Sequence, residues 1–247
     1  MTEDRIIRFD SLDSTNIQAA KLATESELPE GTVIVAREQA HGRGQDCSSW
    51  ESEPGKNLTC SMLFYPRFLP VGRQFELSKV VALGVWKTVS DLLPDDMVKI
   101  KWPNDIYTGD RKVAGILIQN SILGETLDSS IIGIGLNANQ LVFRSGAPNP
   151  VSLRMATGKE YDLDLLLEQL VKNIDEYYNI LKSNPLGDID KLYFDKLYRK
   201  NVMSKFRKDG KIIRARITGL SEYGHLLLET ADGSSLECEI KEIEFII

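Results

Sequence analysis

Hydrophobic and polar positions along this chain follow two different periods. Short apolar or alternating runs bounded by turn residues are typical of β-strands, whereas longer runs that are apolar on most faces indicate buried helices. Strands are predicted at residues 5–10, 32–37, 57–65, 98–102, 112–123 and 127–136, and helices at residues 17–23, 74–93, 163–181 and 189–198. This order of elements predicts an α+β fold.

The pattern changes from about residue 201 onwards. Short β segments at residues 211–220, 225–229 and 235–240 are separated by turns at Asp209-Gly210, Tyr223-Gly224 and Asp232-Gly233. A segment of about 45 residues is only marginally stable alone. We therefore expect a small β-barrel packed on the preceding part, with domains at residues 1–199 and 200–247.

Composition and charge narrow the class of protein. The 247 residues are 42% hydrophobic and carry a net charge of −6, so the basic footprint of general DNA binding is missing. A local basic pocket for one phosphate ligand is still compatible with that charge. The chain shows no signal peptide and no apolar run long enough to span a membrane. Three distant cysteines and two histidines predict free thiols in the cytoplasm, without a disulfide framework or a histidine-rich metal site.

A polar, glycine-containing loop at residues 39–56 precedes the third predicted strand. Gly42 and Gly44 flank Arg43, so the backbone can adopt positive φ on either side of a cation. Such a loop can turn backbone N–H groups toward an anion, and the guanidinium adds a bidentate donor. The alternative is a surface loop with a chance pair of glycines, since short glycine motifs often occur without function.

The Ser14-Thr15-Asn16 segment also has two interpretations. It can simply start a helix, with Thr15 and Gln18 as a capping box. It can also present hydroxyl, amide and backbone donors to a ligand at the helix start.

Three later motifs are equally ambiguous when each is taken alone. Residues 101–105 form either a strand end with a polar turn or part of a site. Lys112 and Gly115 belong to an ordinary strand or to that site. Gly133 and Gly135 mark a bulged strand or the close approach of a ligand. Their order and spacing after the glycine loop decide between these interpretations.

Taken together, these motifs resemble those of the biotin protein ligases, which attach biotin to carrier domains of carboxylases. The resemblance covers nearly the whole chain, including residues 224–229 near the C-terminus. It is carried by Ser14-Thr15-Asn16, Gly42-Arg43-Gly44, Trp50, Gly55, Asn57-Leu58, Ser61, Lys101-Trp102-Pro103-Asn104-Asp105, Lys112, Gly115-Ile116-Leu117, Gly133, Gly135 and Asn137. It implies a mixed or antiparallel sheet with helices on one face in the catalytic domain, followed by a small SH3-like β-barrel.

The resemblance implies two half-reactions. The biotin carboxylate attacks the α-phosphate of ATP to give biotinyl-5′-adenylate and pyrophosphate, and a lysine of a biotin carboxyl carrier protein then displaces AMP. Because two anions must meet, fixed cations are required, and Lys112 and Arg43 are expected to be catalytic. Asp105 is expected to hold or deprotonate the incoming amine, unless it only caps its turn. Mg²⁺ is expected on the pyrophosphate side, held by phosphates and water without dedicated protein ligands.

Two groups of binding residues are implied by the same resemblance. For biotin they are Ser14, Thr15, Asn16, Gln39, Gly42, Arg43, Lys112, Gly115, Ile116 and Gly133. For ATP and the adenylate they are Arg43, Gly44, Gln45, Trp50, Lys101, Asn104, Lys112 and Asn137. The loops at residues 42–49 and 140–150 are expected to order over the adenylate and keep water out.

The glycine loop departs from the family's pattern. Family members continue with further arginine and glycine before the tryptophan, whereas this chain has Asp46 and Cys47. Arg43 is therefore expected to carry more of the anion binding. Larger members carry an N-terminal helix-turn-helix that represses biotin genes. Since the first motif begins at Ser14, we expect a ligase without that DNA-binding domain.

Other functions stay open at this point. A ligase for lipoate or octanoate would act on acids that lack the ureido group of biotin. A biotin sensor that has lost its chemistry through Asp46-Cys47 would bind biotin without consuming ATP. The expected partner is the carrier protein, with no DNA and no membrane. The chain is expected to be a monomer or a weak homodimer, which could pair through the hairpin edge at residues 116–132.

Overall fold

A computed structural model describes residues 5–44, 49–94, 97–145, 149–183 and 189–247. The helices are α1 (Thr15–Glu25), α2 (Phe75–Ser90), α3 (Leu153–Thr157), α4 (Leu163–Ser183) and α5 (Ile189–Asp195). The strands are β1 (Ile6–Leu12), β2 (Thr32–Gln39), β3 (Leu58–Phe64), β4 (Val98–Lys101), β5 (Asp105–Thr108), β6 (Arg111–Leu123), β7 (Thr126–Leu136), β8 (Ser204–Lys208), β9 (Lys211–Leu220), β10 (Leu226–Thr230), β11 (Ser235–Cys238) and β12 (Ile243–Phe245).

The first domain is built on a mixed seven-stranded sheet in the order β1-β2-β3-β7-β6-β5-β4. Only β1 and β2 run parallel, and every other neighbouring pair is antiparallel. The predicted hairpin is confirmed as β6 and β7. β3 is an inner strand of the sheet, between β2 and β7, and is buried along its whole length, as expected for an apolar run covered on both faces.

Helices α2 and α4 cover one face of this sheet. Cys60, Met62 and Ile134 point to that face and join the main hydrophobic core with both helices. The two helices cross closely at Gly84, where an added Cβ would lie 2.8 Å from Ile174 Cα. A glycine at this position therefore lets the helix backbones approach more closely than side chains allow.

Helix α1 lies on the opposite face of the sheet from α2 and α4. The resemblance implied helices on one face, and α1 is an additional helix on the other face. Ser61 alternates with Cys60 and Met62 along β3, so its side chain points away from the main core. The Ser61 hydroxyl is 2.7 Å from Thr15 Oγ1 and 2.6 Å from Asn16 Oδ1. These buried polar contacts attach the start of α1 to the centre of the sheet.

The second domain is an antiparallel five-stranded sheet in the order β11-β10-β9-β8-β12. The described ladders run from β11 to β12 without a pairing between these two end strands. The pattern of short segments predicted β9, β10 and β11 but missed β8 and β12, which are only 5 and 3 residues long. No helix among the described residues is long and apolar enough to cross a membrane.

Strand β5 was also missed, because Asp105 was interpreted as a turn residue after Pro103. The turn is present, but Asp105 already pairs with Lys101 of β4 and with Gly115 of β6. The four residues of β5, Asp-Ile-Tyr-Thr, do not alternate between polar and apolar and so give no strand signal. Its position between β4 and β6 is decided by tertiary pairing. The short helix α3 likewise escaped the sequence pattern.

The two sheets dock through residues on either side of the proposed boundary at residue 199. Trp102 Nε1 donates to the Gly224 carbonyl oxygen at 2.9 Å. Arg199 donates to the Ile246 carbonyl oxygen at 2.8 Å. Tyr198 and Phe245 have ring centroids 6.3 Å apart. Buried aromatic and hydrogen-bonded contacts of this kind stabilise a small sheet that is marginal alone.

Substituting Gly224 tests this docking surface. Gly224 has φ +85°, and an added Cβ would lie 2.1 Å from Phe75 Cγ. Gly233 has φ +87° but no atom within 4 Å of an added Cβ, so it has the same backbone strain without the clash. We expect Gly224→Ala to lower the free energy of unfolding by about 3 kcal/mol and Gly233→Ala by about 1 kcal/mol. Equal losses in urea unfolding would contradict the proposed close contact.

Candidate functional site

Strand register brings the motifs together on the face of the sheet that carries α1. Lys101 is opposite Asp105, Asp105 is opposite Gly115, Gly115 is opposite Gly135, and Gly135 is opposite Thr59. Residues directly opposite one another in antiparallel strands share a face. Five strands therefore contribute to one row in which a cation and an anion adjoin two positions without side chains.

Lys112 reaches this face because β6 contains a bulge. Alternation alone would place Lys112 and Gly115 on opposite faces, since they are three residues apart. The register shifts between Ile106 and Tyr107, and Lys112 then pairs with Tyr107. The bulge thus turns Lys112 toward Asp105, and its Nζ lies 2.6 Å from Asp105 Oδ1.

Trp50 lies over the two glycines of the row. An added Cβ would lie 2.2 Å from Trp50 Cε2 at Gly135 and 3.1 Å from Trp50 Cζ3 at Gly115. The Lys112 Nζ is 5.7 Å from the centre of the indole ring, within reach of a cation–π contact. The indole Nε1 is buried and has no hydrogen-bond partner among the described residues. Since a buried donor without a partner is costly, this atom is available to a polar ligand.

The glycine loop positions Trp50 through its backbone. Trp50 N donates to the Gly42 carbonyl oxygen at 2.8 Å. Gly42 does not adopt positive φ, so the conformational role expected for it was wrong. Gly42 is required for a different reason, because an added Cβ would lie 2.5 Å from the Trp50 carbonyl oxygen.

The start of α1 forms a buried polar cluster. Ser14, Thr15 and Asn16 are each at most 4% exposed. Thr15 N donates to Gln39 Oε1 at 2.8 Å. Ser14 occupies the N-cap position without a side-chain cap hydrogen bond, so the capping box expected for Thr15 and Gln18 is not formed. The polar side chains of this segment are instead directed to the sheet and the cavity.

The Asn16 side chain fills the space that a side chain at position 133 would need. An added Cβ at Gly133 would lie 2.3 Å from Asn16 Oδ1. Asn16 Nδ2 donates to the Leu117 carbonyl oxygen at 3.3 Å. Gly133 therefore allows Asn16 to lie against the sheet. This contact accounts for a glycine at this position, and no bulge in the strand is needed to explain it.

Lys101 lies between the two domains at the edge of the row. Its Nζ is 4.7 Å from the ring centre of Phe245, a residue of the second domain, and 5.6 Å from that of Tyr107. Burial lowers the pKa of Lys101 below its ordinary value, against the attraction of Asp105. Burial makes the protonated form of Lys101 less stable, and an anionic ligand bound beside it would stabilise that form.

These elements enclose a cavity of about 680 Å³. The predicted site residues that line it are Ser14, Thr15, Asn16, Gln39, Arg43, Gly44, Trp50, Lys101, Asn104, Asp105, Lys112, Gly115, Ile116, Gly133 and Asn137. Gly42 does not line it and acts through Trp50. Gln45, Asp46 and Cys47 lie outside the described residues, so the effect of the altered loop stays a prediction.

Asn104 and Asn137 differ in how much hydrogen-bonding capacity they leave for a ligand. Asn104 joins the turn to β6, because its Nδ2 donates to the Ile116 carbonyl oxygen and its own carbonyl oxygen accepts from Ile116 N. Asn137 Nδ2 donates to the Val151 carbonyl oxygen at 3.2 Å, while Oδ1 is buried without a partner among the described residues. Asn137 thus offers a free acceptor, whereas Asn104 mainly positions the backbone.

Several lining residues were not assigned to the site from the sequence. They are Ser49, Glu51, Pro103, Tyr107, Leu117, Ile134, Gly135, Phe143, Ser145 and Pro150. Pro103, Leu117 and Gly135 were part of recognised motifs and could have been assigned. Ser49, Phe143, Ser145 and Pro150 belong to the two loops that were expected to order over the adenylate. Glu51, Tyr107 and Ile134 reach the cavity through chain folding alone. Within the described ranges, no three histidine, cysteine, aspartate or glutamate side chains form a group that could hold a metal ion.

Family models and individual relatives of this chain point to the same protein family. A model of the biotin/lipoate A/B protein ligase family matches residues 8–137, and one of the biotin protein ligase C terminal domain matches residues 205–244. The bifunctional ligase/repressor BirA of Bacillus subtilis is 28% identical over 237 residues, which cover 92% of this chain and 70% of that protein. The biotin–[acetyl-CoA-carboxylase] ligase of Paracoccus denitrificans is 33% identical over 163 residues, 64% of this chain and 66% of that protein.

A solved structure agrees over nearly the whole chain. The biotin protein ligase from Aquifex aeolicus, in complex with biotin and ATP, superposes with a TM-score of 0.80. It is 27% identical and matches 98% of both chains. The fold of this chain is therefore similar to that of the solved ligase across both sheets.

Proposed function

Because this chain belongs to the biotin/lipoate A/B protein ligase family, we propose that its cavity activates biotin with ATP and transfers the biotinyl group to a lysine. The chain is an ATP-dependent biotin–protein ligase, and its family acts on biotin carboxyl carrier proteins. The observation that carries the proposal is the composition of the cavity. A buried polar cluster from α1 and β2 lies beside a row that carries Lys101, Asp105 and Lys112.

The polar end of the cavity suits the ureido ring of biotin. Ser14, Thr15 and Asn16 supply hydroxyl and amide groups, and Gln39 fixes the Thr15 backbone. A ureido group needs both donors and acceptors, and a wrong acid would leave those buried groups unpaired. Gly115, Ile116 and Gly133 line the path from this cluster to the cations. We assign this end to biotin.

The cationic end suits the carboxylate and the phosphates. One oxygen of the biotin carboxylate attacks the α-phosphorus of ATP, the bond to the bridging oxygen breaks, and pyrophosphate leaves. Lys112 stands where both anions approach, and Arg43 lines the cavity from the glycine loop. Their charges offset the repulsion and stabilise the charge that develops in the transition state. ATP brings Mg²⁺, which neutralises charge on the phosphates when bound.

The second half-reaction requires a neutral amine. In this proposal Asp105 accepts a proton from the incoming lysine, whose amine attacks the carbonyl carbon of the adenylate as AMP leaves. Asp105 is only 18% exposed in its side chain, and it is already held by Lys112 at 2.6 Å. That ion pair orients the carboxylate toward the row in which the reaction takes place.

Pyrophosphate exchange into ATP tests the first half-reaction. Exchange is expected with biotin and Mg²⁺ and not with lipoate, octanoate or no acid. Exchange with lipoate or octanoate would instead assign the chain to the neighbouring ligases. Biotin binding without exchange would indicate a sensor. Either result would overturn the proposed activity.

The remaining expectations stay predictions. They are a monomer or weak homodimer, the absence of DNA binding, a cytoplasmic location, and the domain boundaries at residues 1–199 and 200–247.

A further inference from the structure

Glu51 follows Trp50 directly and connects two segments of the cavity wall. Its carboxylate accepts hydrogen bonds from two successive backbone amides of the distant segment 141–145. Arg144 N lies 2.8 Å from Oε1 and 3.0 Å from Oε2, and Ser145 N lies 2.7 Å from Oε2. Hydrogen bonds to an ionised acceptor are shorter and stronger than neutral ones. The Glu51 carboxylate therefore holds this segment through its backbone N–H groups.

Gln140 supports the same connection from inside the protein. Gln140 is fully buried, and its Nε2 donates to Glu51 Oε1 at 3.2 Å and to the Val142 carbonyl oxygen at 2.8 Å. Its Oε1 accepts from Asn57 Nδ2 at 2.6 Å and from Glu53 N at 3.0 Å. The glutamine thus ties residues 51–57 to the end of the segment that Glu51 holds.

The charge on Glu51 is maintained by these donors. Burial by itself raises the pKa of Glu51, but hydrogen bonds from Ser145, Arg144 and Gln140 outweigh burial and lower the pKa below its ordinary value. Glu51 is consequently ionised at neutral pH. Its carboxylate is acceptor-only in that state and can serve all four N–H contacts at once.

The segment held by Glu51 contributes to the cavity. Phe143 and Ser145 line it, as do Trp50 and Glu51 itself. Trp50 lies over the two glycines of the row, so a displacement of residues 141–145 would open the wall beside the indole. A wall held by a charged hydrogen-bond network is preorganised before any ligand enters.

We propose that Glu51 is a positioning residue that clasps the backbone of Arg144 and Ser145 and so holds Phe143 in the wall of the cavity that takes ATP. This inference rests on the proposed function for its effect on ATP. The clasp itself is made by contacts within the chain. It predicts that part of the 140–150 loop, residues 141–145, is ordered without biotin and ATP.

Hydrogen exchange tests the clasp independently of catalysis. In the protein without biotin and ATP, exchange of the Arg144 and Ser145 amides is expected to rise about tenfold or more in Glu51→Gln. An amide side chain keeps the shape but loses one acceptor oxygen. Glu51→Asp, which keeps the carboxylate on a shorter stem, is expected to show an intermediate increase. Unchanged protection in Glu51→Gln would overturn the proposal.

Kinetics test the positioning role. In biotin-dependent pyrophosphate exchange, Glu51→Gln is expected to raise KM for ATP about tenfold and to change kcat by less than about threefold. Glu53→Gln is the matched control, because it removes the same charge two residues away and the Glu53 side chain makes no described hydrogen bond or ion pair. It should change neither quantity. Equal KM values in Glu51→Gln and the wild type would overturn the role in ATP binding even if the clasp exists.

A separate failure would be recognisable. If the wild type showed no exchange with biotin, the proposed activity would fall, while the amide protection would still report on the clasp.

Discussion

Replacing Lys112 with glutamine is expected to reduce biotin-dependent pyrophosphate exchange by about two to three orders of magnitude. The side chain lies 2.6 Å from Asp105 and close to Trp50, where the biotin carboxylate and the α-phosphate are proposed to meet. Glutamine keeps a donor but removes the charge that offsets their repulsion. It also leaves the Asp105 carboxylate without its cation, so that an uncompensated negative charge faces the two substrate anions.

Lys172→Gln is the control for this substitution. Lys172 lies on an exposed position of α4, so its substitution removes the same charge at a site away from the cavity. Thermal unfolding of both variants separates loss of chemistry from loss of fold. An exchange rate for Lys112→Gln within about threefold of the wild type would remove this lysine from the catalytic residues.

Adding a single methyl group at Gly135 is expected to disable the same cavity. The Cβ of Gly135→Ala would lie 2.2 Å from Trp50 Cε2, 2.5 Å from Cζ2 and 2.6 Å from Nε1. A planar indole cannot absorb three such contacts by a small rotation, so it has to leave its position over the row. We expect KM for ATP to rise by at least about tenfold, with a loss of stability of about 1–3 kcal/mol.

Gly219→Ala provides the comparison. At Gly219 an added Cβ would lie 3.5 Å from Leu227 Cδ1, an ordinary contact distance, on β9 of the second domain. It should leave KM and exchange unchanged. If Gly135→Ala behaved like Gly219→Ala, the indole would not be fixed over the row, and the assignment of Trp50 to the adenylate would fail.

Much of the architecture follows from local patterns. The hairpin of β6 and β7 is recognisable from two apolar runs around a short polar turn, and α2 from a run that is apolar on most faces. Most of the proposed site residues came from motifs whose order along the chain is distinctive. Short elements such as β5, β8, β12 and α3 could not be found this way, because 3 to 5 residues contain only one or two repeats of a strand or helix pattern.

Local patterns alone misjudged what some of the recognised residues do. The glycines of the loop suggested positive φ, but Gly42 is needed for its contact with the Trp50 backbone. Thr15 and Gln18 matched a capping box, but the N-cap Ser14 makes no side-chain cap bond. In both cases a contact with a residue outside the motif outweighed the local preference.

The amino-acid sequence by itself determined which residue types are available and in what order, because motifs and periodicity are properties of neighbouring positions. Only the tertiary structure decided that Lys112 shares a face with Asp105. Asp105 pairs with Gly115, and a bulge in β6 reverses the alternation expected between Lys112 and Gly115. The tertiary structure also decided that Glu51 meets the amides of Arg144 and Ser145, which lie 93 and 94 positions further along the chain. Contacts of that length depend on how strands and loops are brought together, and no local pattern encodes them.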